Sequence, residues 1–177
     1  MRERAVILVT GIQAAGKSTV AQLLAERLPR AAHVHGDEFR RSIVSGRVEI
    51  TPDEPAEAIE QLWLRYKLSA MVADEYAAAG FTAVVQDVIL GTDVAEYARL
   101  VRTRPRFLIT LAPRPDVVAA RELARPKSGY GDWTVESLYT YLHQAPADLG
   151  FWVDSSAQTP TETVDTILQN LDRALVP

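Results

Sequence analysis

Residues 11–18 read Gly-Ile-Gln-Ala-Ala-Gly-Lys-Ser and match the phosphate-loop (Walker A) pattern G-x-x-x-x-G-K-[ST] at every defined position. Gly11 and Gly16 allow the backbone to curl so that its N–H groups point at phosphate oxygens. Lys17 supplies an ammonium group for the β- and γ-phosphates, and the Ser18 hydroxyl is a ligand for Mg²⁺. The motif therefore predicts a site for a nucleoside triphosphate and its metal. The residues predicted to bind nucleotide in this segment are Gly11, Ala14, Ala15, Gly16, Lys17, Ser18 and Thr19.

The segments on either side of the loop are those that a phosphate loop requires. Residues 5–10 form a continuous apolar run, which is typical of a parallel strand buried on both faces. Residues 17–28 place apolar side chains at helical spacing, and Pro29 ends that helix. A helix that starts in the loop adds its positive N-terminal end to the anion site. This order of elements favours a nucleotide site over a surface turn with no ligand.

Asp37 follows the predicted second strand, 32–35, at the end of the sheet where the phosphate loop lies. A carboxylate there can orient an acceptor hydroxyl and take its proton as the hydroxyl attacks the γ-phosphate. Arg40 lies three residues later on the same side of a predicted helix, 37–45, and can clamp the acceptor or stabilise the transferred phosphate. The alternative is that Asp37 only caps this helix and Arg40 is a solvated partner.

Asp87 lies in the next predicted strand, 82–90, where its apolar run is interrupted by Gln86-Asp87. An acid at this place holds Mg²⁺, often through water, or bonds to the acceptor. A structural cap at the strand end is the alternative role. Gln86 is expected to orient a neighbouring group rather than to act as a catalyst.

Arg121 and Arg125 are spaced four residues apart and share one face of a predicted helix, 114–124. A glycine-bearing segment follows, and residues 125–134 are predicted to form a small lid. We expect the lid to close over the triphosphate and bring positive charge to the transferring group. A solvated basic face is the alternative.

Strand and helix patterns alternate along the whole chain, which predicts one α/β domain over residues 1–177 with a parallel sheet between helices. The remaining predicted strands are 106–111 and 151–154, which gives five strands. The remaining predicted helices are 56–79, 93–102, 134–143 and a last helix that Thr159-Pro160-Thr161-Glu162 caps and that runs to about residue 174.

Composition excludes several classes of protein. The chain of 177 residues has no cysteine, so it has no disulfide, thiolate zinc site or thiol nucleophile. Nineteen basic and 23 acidic residues give a net charge of −4, which argues against binding to long nucleic acids. No apolar run is long enough to span a membrane, and a cytoplasmic location with access to ATP is expected.

Two absences distinguish among the proteins that use a phosphate loop. The sequence has no Asn-Lys-x-Asp guanine-binding motif, and Asp87 is followed by Val88 rather than by the second carboxylate of many hydrolysing ATPases. Both absences favour a small kinase.

With these motifs in place, the chain resembles the small phosphate-loop kinases grouped around chloramphenicol phosphotransferase, and its Asp37-x-x-Arg40 is also similar to zeta-toxin-like and polynucleotide kinases. The resemblance implies a three-layer fold like that of nucleoside-monophosphate kinases, and it implies Asp37 as the base. It also implies that Arg121 and Arg125 contact the nucleotide and that the loop 155–160, ending at Pro160, borders adenine. Those antibiotic kinases tend to have a second acid where this chain has Gln86.

The expected function is therefore ATP- and Mg²⁺-dependent phosphorylation of a hydroxyl on a small molecule, for example an antibiotic or another natural product. Asp37, Lys17, Arg40 and Arg125 are the expected catalytic residues, and Ser18 and Asp87 are the expected metal ligands. Two alternatives stay open at this point: a kinase for nucleosides or polynucleotide 5′-hydroxyls, and a nucleotide-binding regulator without catalysis.

Overall fold

The computed structural model describes residues 4–124 and 131–177, in which strands and helices alternate as the sequence predicts. The strands are β1 (Ala5–Thr10), β2 (Ala31–His35), β3 (Thr82–Gln86), β4 (Arg106–Leu111), β5 (Phe151–Val153) and β6 (Leu175–Val176). The helices are α1 (Lys17–Glu26), α2 (Gly36–Arg41), α3 (Ala56–Ala78), α4 (Asp93–Leu100), α5 (Pro115–Leu123), α6 (Val135–Leu142) and α7 (Pro160–Gln169), followed by a 3₁₀ helix at Leu171–Ala174.

Five strands form a parallel sheet, as predicted, and the structure gives their order as β2-β3-β1-β4-β5. The predicted strand number is wrong by one, because β6 pairs antiparallel with β4, and the predicted last helix ends at Gln169 rather than near residue 174. The reason lies in β5, which has three residues and pairs only with the second half of β4. The first half of β4 is left for β6, which buries Val176 against the sheet.

The three layers follow from the alternation of side chains along each buried strand. In β1, Ile7 and Val9 face one core, which includes residues of α1, α6 and α7. Val6 and Leu8 face the other core, which includes residues of α3 and α4. All six residues of β1 are buried, which explains why its sequence is continuously apolar rather than alternating.

The long helix α3 covers the face of the sheet to which Val6 and Leu8 point, with both aromatic and small side chains. Tyr66, Ala70 and Ala73 are buried, and Trp63 packs partly buried against the same core. None of the described helices has both the length and the apolarity needed to cross a bilayer.

Strand β3 and helix α2 both end earlier than predicted. Strand β3 ends at Gln86 rather than at residue 90, because the Thr10 hydroxyl engages both backbone groups of Ile89. Thr10 Oγ donates to the Ile89 carbonyl at 2.6 Å and accepts from the Ile89 N–H at 3.1 Å. Helix α2 ends at Arg41 rather than near residue 45.

His33 and His35 lie on one face of β2, with their ring centroids 3.9 Å apart. Burial and, to a smaller extent, the neighbouring His35 together lower the pKa of His33 from 6.5 to about 4. His33 Nδ1 lies 2.8 Å from Gln22 Oε1, whereas the buried Nε2 has no partner among the described residues. The neutral ring fits this site, and a second ring proton has no acceptor there.

His33 is therefore expected to weaken the fold in mild acid. Its pKa is lower in the folded chain than in the unfolded chain, so protonation favours unfolding, and stability falls as the pH decreases from about 6.5 towards 4. Denaturant unfolding at pH 7 and pH 4.5 should show about 1–2 kcal/mol less acid destabilisation in His33→Gln than in the wild type, after allowance for partial solvent screening. The control His143→Gln should keep the wild-type difference, and an unchanged difference in His33→Gln would contradict the assignment.

Candidate active site

The phosphate loop connects β1 to α1, and both of its motif glycines occupy positions that favour glycine. Gly11 has φ 144°, and a Cβ there would lie 2.5 Å from the Leu111 carbonyl oxygen. Gly16 has φ 98° and forms the N-cap of α1. Ala14 also has a left-handed backbone, at φ 60°, which costs an alanine about 1–2 kcal/mol. Such strain clusters at ligand sites, which agrees with the predicted anion cradle.

Lys17 and Ser18 begin α1 with their polar atoms directed at the loop and at the end of β3. Lys17 is only 8% exposed, and its Nζ donates to the Ile12 carbonyl at 2.7 Å. Ser18 Oγ donates to Gln86 Oε1 at 3.2 Å. The ammonium and the hydroxyl therefore lie beside the curled backbone, where the motif predicts β- and γ-phosphates and metal.

Asp37 lies in the first turn of α2, on the phosphate-loop side of the sheet. Its Oδ1 is 3.5 Å from Gln86 Nε2, and the same Gln86 amide bonds to Ser18. The Asp37 side chain is 40% exposed, and its Oδ2 pairs with Arg41 at 2.8 Å. The Asp37 carboxylate is therefore accessible to solvent, and the Gln86 amide connects it to Ser18 of the phosphate loop. This position is suitable for a base.

The two arginines of α2 have different partners. Arg40, the predicted clamp, forms an ion pair with Glu49 of the loop between α2 and α3. Arg41, which the sequence reasoning missed, bonds to both Asp37 and Glu38. The role of Arg40 towards an acceptor stays a prediction, and Arg41 is the cation that contacts the candidate base.

Asp87 forms a buried ion pair with Arg65 of α3, a residue that the sequence reasoning also missed. Arg65 Nε donates to Asp87 Oδ2 at 3.0 Å, and Arg65 Nη2 donates to Asp87 Oδ1. The two side chains are 1% and 11% exposed for Asp87 and Arg65, respectively. Burial raises the pKa of the Asp87 carboxyl, and the guanidinium opposes that rise. A buried strand-end aspartate requires a cation, and this requirement was the available signal for Arg65.

Gly36 makes room for this ion pair. A Cβ at Gly36 would lie 2.0 Å from Asp87 Oδ2, which is shorter than any real contact. The glycine between β2 and Asp37 therefore places the candidate base and the buried carboxylate next to each other.

Arg121 reaches from α5 to the phosphate loop, as a nucleotide-binding role requires. Its Nη1 donates to the Ala15 carbonyl at 3.3 Å, and its Nη2 donates to the Ser155 carbonyl at 3.1 Å. It thus joins the loop to the segment that precedes α7. Pro160 lies at the first position of α7, behind the predicted capping box of Thr159 and Glu162, which the structure contains.

Arg125 and residues 125–130 of the predicted lid lie outside the described residues. The rest of the lid, 131–134, leads into α6, whose N-cap is Thr134. Trp133 Nε1 donates to the Ile50 carbonyl at 3.2 Å. This bond ties the described end of the predicted lid to the loop between α2 and α3.

The donor set fits Mg²⁺ that is held mainly by a bound triphosphate. Within the ranges 4–124 and 131–177, no group of three or more His, Asp or Glu side chains could hold a metal ion. Ser18 offers one hydroxyl, and both oxygens of Asp87 already have partners in Arg65 and the Val88 N–H. The assignment of Asp87 as a metal ligand stays a prediction.

The sequence profile of AAA_33, an AAA domain family, matches residues 6–142. This range runs from β1 to the end of α6 and contains the phosphate loop, Asp37, Asp87 and Arg121. The chain belongs to the AAA domain family. A search of curated proteins finds no match to it.

Solved structures share the fold of this AAA domain over nearly its whole length. An unliganded sugar kinase from Janibacter sp. HTCC2649 has a TM-score of 0.73 at 19% identity, with 97% of this chain and 96% of that chain covered. The APS kinase of Mycobacterium tuberculosis in complex with AMPPNP and APS has a TM-score of 0.73 at 16% identity, with 97% of this chain and 99% of that chain covered. The tunicamycin resistance protein of Deinococcus radiodurans has a TM-score of 0.64 at 18% identity, with 98% of this chain and 99% of that chain covered. At these identities the likeness shows the three-layer phosphate-loop fold.

Proposed function

We propose that this AAA domain is an ATP-dependent phosphotransferase that phosphorylates a hydroxyl group of a small molecule. The supporting observation is the row Ser18–Gln86–Asp37, in which one amide joins the phosphate loop to a solvent-accessible carboxylate. A triphosphate holder that does not transfer phosphate has no need for a base at this place.

Each step of the transfer has a residue on this row or beside it. The acceptor oxygen forms a bond to the γ-phosphorus, the bond from that phosphorus to the bridging oxygen breaks, and ADP leaves. Asp37 takes the proton of the hydroxyl. Lys17 and the loop N–H groups hold the β- and γ-phosphates, and Arg121 holds the loop. Mg²⁺, when bound beside Ser18, neutralises phosphate charge. Arg40 and Arg125 are proposed to stabilise the transferred group.

A small acceptor is favoured over a long polyanion. The net charge of −4 argues against nucleic-acid binding. The structural neighbours include a sugar kinase and a tunicamycin resistance protein, which supports a sugar-like or antibiotic acceptor. One of the solved structures was obtained with AMPPNP, an ATP analogue, which supports ATP as the donor.

The test is a transfer screen with γ-labelled ATP and Mg²⁺ against sugars, nucleosides, antibiotics and 5′-hydroxyl oligonucleotides. We expect labelled product with a small alcohol, and we expect Lys17→Ala to abolish it because the ammonium on the γ-phosphate is lost. Labelling of oligonucleotides, with binding that weakens steeply as salt is raised, would support the polynucleotide alternative. ATP binding with no transfer to any acceptor would overturn the proposal in favour of a regulator.

A further inference from the structure

We infer that Gln86 is a positioning residue that orients the Ser18 hydroxyl for Mg²⁺ binding and does so without adding charge. The inference rests on the proposed function only in that the chain binds Mg²⁺ and ATP. Gln86 ends β3 and is 5% exposed, so its amide has few conformations open to it.

The surroundings of the amide determine which way it points. Oε1 lies 3.2 Å from Ser18 Oγ, and Nε2 lies 3.5 Å from Asp37 Oδ1 and 3.5 Å from His35 Nδ1. A flipped amide would bring its oxygen against the carboxylate oxygen of Asp37, and the two would repel. The –NH₂ group can donate to the Asp37 carboxylate oxygen, which only accepts. Asp37 thus directs the amide oxygen to Ser18.

The orientation of the amide determines which atoms of the Ser18 hydroxyl stay available to a metal ion. A hydroxyl group has one hydrogen to donate and two lone pairs that accept. Gln86 accepts the hydrogen, so the lone pairs remain for a cation. In the flipped arrangement the amide would donate to Ser18 and occupy one of the lone pairs that a metal needs. The neutral amide therefore prepares a metal ligand.

The absence of charge at this position also matters for Asp37. A carboxylate in place of the amide would lie about as far from Asp37 as Gln86 Nε2 does, 3.5 Å. Two carboxylates at that distance do not both ionise readily, because each raises the proton affinity of the other. The neutral amide of Gln86 thus adds no negative charge beside Asp37, and the neighbouring Asp87 has Arg65 as its ion-pair partner.

The test is a double-mutant cycle on the gain in ATP affinity that Mg²⁺ produces, measured by calorimetry with Mg²⁺ and again with EDTA. We expect Gln86→Leu and Ser18→Ala each to lower this gain about 10-fold, the lower end of the usual cost of losing a partner of a metal ligand. Affinity for ATP in EDTA should change little. The double variant should match Ser18→Ala alone, because Gln86 acts through that hydroxyl.

Two further variants separate positioning from packing. Gln86→Glu keeps an acceptor oxygen for Ser18 and should preserve the Mg²⁺-dependent gain. Gln169→Leu makes the same change on the exposed last turn of α7 and should have no effect. Effects of Gln86→Leu and Ser18→Ala that multiply, or a gain unchanged in Gln86→Leu, would overturn the inference. These measurements need no acceptor, so they stand even if the transfer screen finds no product.

Discussion

Asp37→Asn is expected to lower the rate of phosphoryl transfer about 10²–10⁴-fold, the usual contribution of a positioned base. Asparagine keeps the size and polarity of the side chain but cannot take the proton of the attacking hydroxyl. Nucleotide affinity should change little, because the residues proposed to hold the phosphates are Lys17 and the loop rather than Asp37. The loss should therefore appear in kcat, with an almost unchanged dissociation constant for AMPPNP in a separate titration.

Glu38→Gln is the matched control for this prediction. Glu38 is the next residue on α2, it shares Arg41 as a partner, and its side chain is 58% exposed. It lacks the contact with Gln86 that connects Asp37 to the phosphate loop. We expect Glu38→Gln to transfer phosphate at close to the wild-type rate. Equal rates in Asp37→Asn and the wild type would remove the base from the mechanism.

The parts of the site that the sequence could predict are those that depend on local backbone geometry. The spacing of Gly11, Gly16 and Lys17 determines a loop conformation almost by itself, and that loop lies where the motif requires. The position of Asp37 could also be predicted, because parallel strands end at the same edge of a sheet. Gly36 and Asp37 therefore lie beside the carboxyl end of β3.

The parts that escaped prediction depend on how separate elements pack. Arg65 is 22 residues away from Asp87 along the chain, and only the packing of α3 against β3 brings them together. The choice between Arg40 and Arg41 is similar, because both can reach Asp37 along a helix and Glu49 in a neighbouring loop engages Arg40. No local pattern contains this information.

The end of the chain gives the same lesson for the fold. The last helix is predicted to run to about residue 174, but α7 ends at Gln169 and a 3₁₀ helix at Leu171–Ala174 leads into β6. Strand β5 has only three residues, so it leaves the first half of β4 without a partner on that side. Pairing of Leu175 with Phe107 and of Val176 with Arg106 satisfies this edge. The open edge of β4 thus determines the structure of residues 175–176, and the local sequence pattern alone does not.

Arg65→Met is expected to lower the free energy of unfolding by about 3–5 kcal/mol at pH 7, because it leaves the Asp87 carboxylate buried without its cation. The penalty should shrink as the pH falls. Burial raises the pKa of Asp87, and without Arg65 to oppose it the carboxyl takes up a proton more readily in the folded chain than in the unfolded chain. Stability in this variant is thus lost as pH rises through the raised pKa and regained below it. Urea unfolding at pH 7 and pH 5 measures both effects.

Two comparisons show whether the cause is the unpaired charge rather than a change in packing. Lys67→Met removes an exposed cation from the same helix and should change stability by less than about 0.5 kcal/mol. Arg65→Met combined with Asp87→Leu removes both charges and should recover most of the loss, since an apolar pair can replace a buried ion pair at little cost. If Arg65→Met loses no more stability than Lys67→Met, the guanidinium does not neutralise Asp87. In that case, another group would have to neutralise the negative charge of Asp87 beside Asp37.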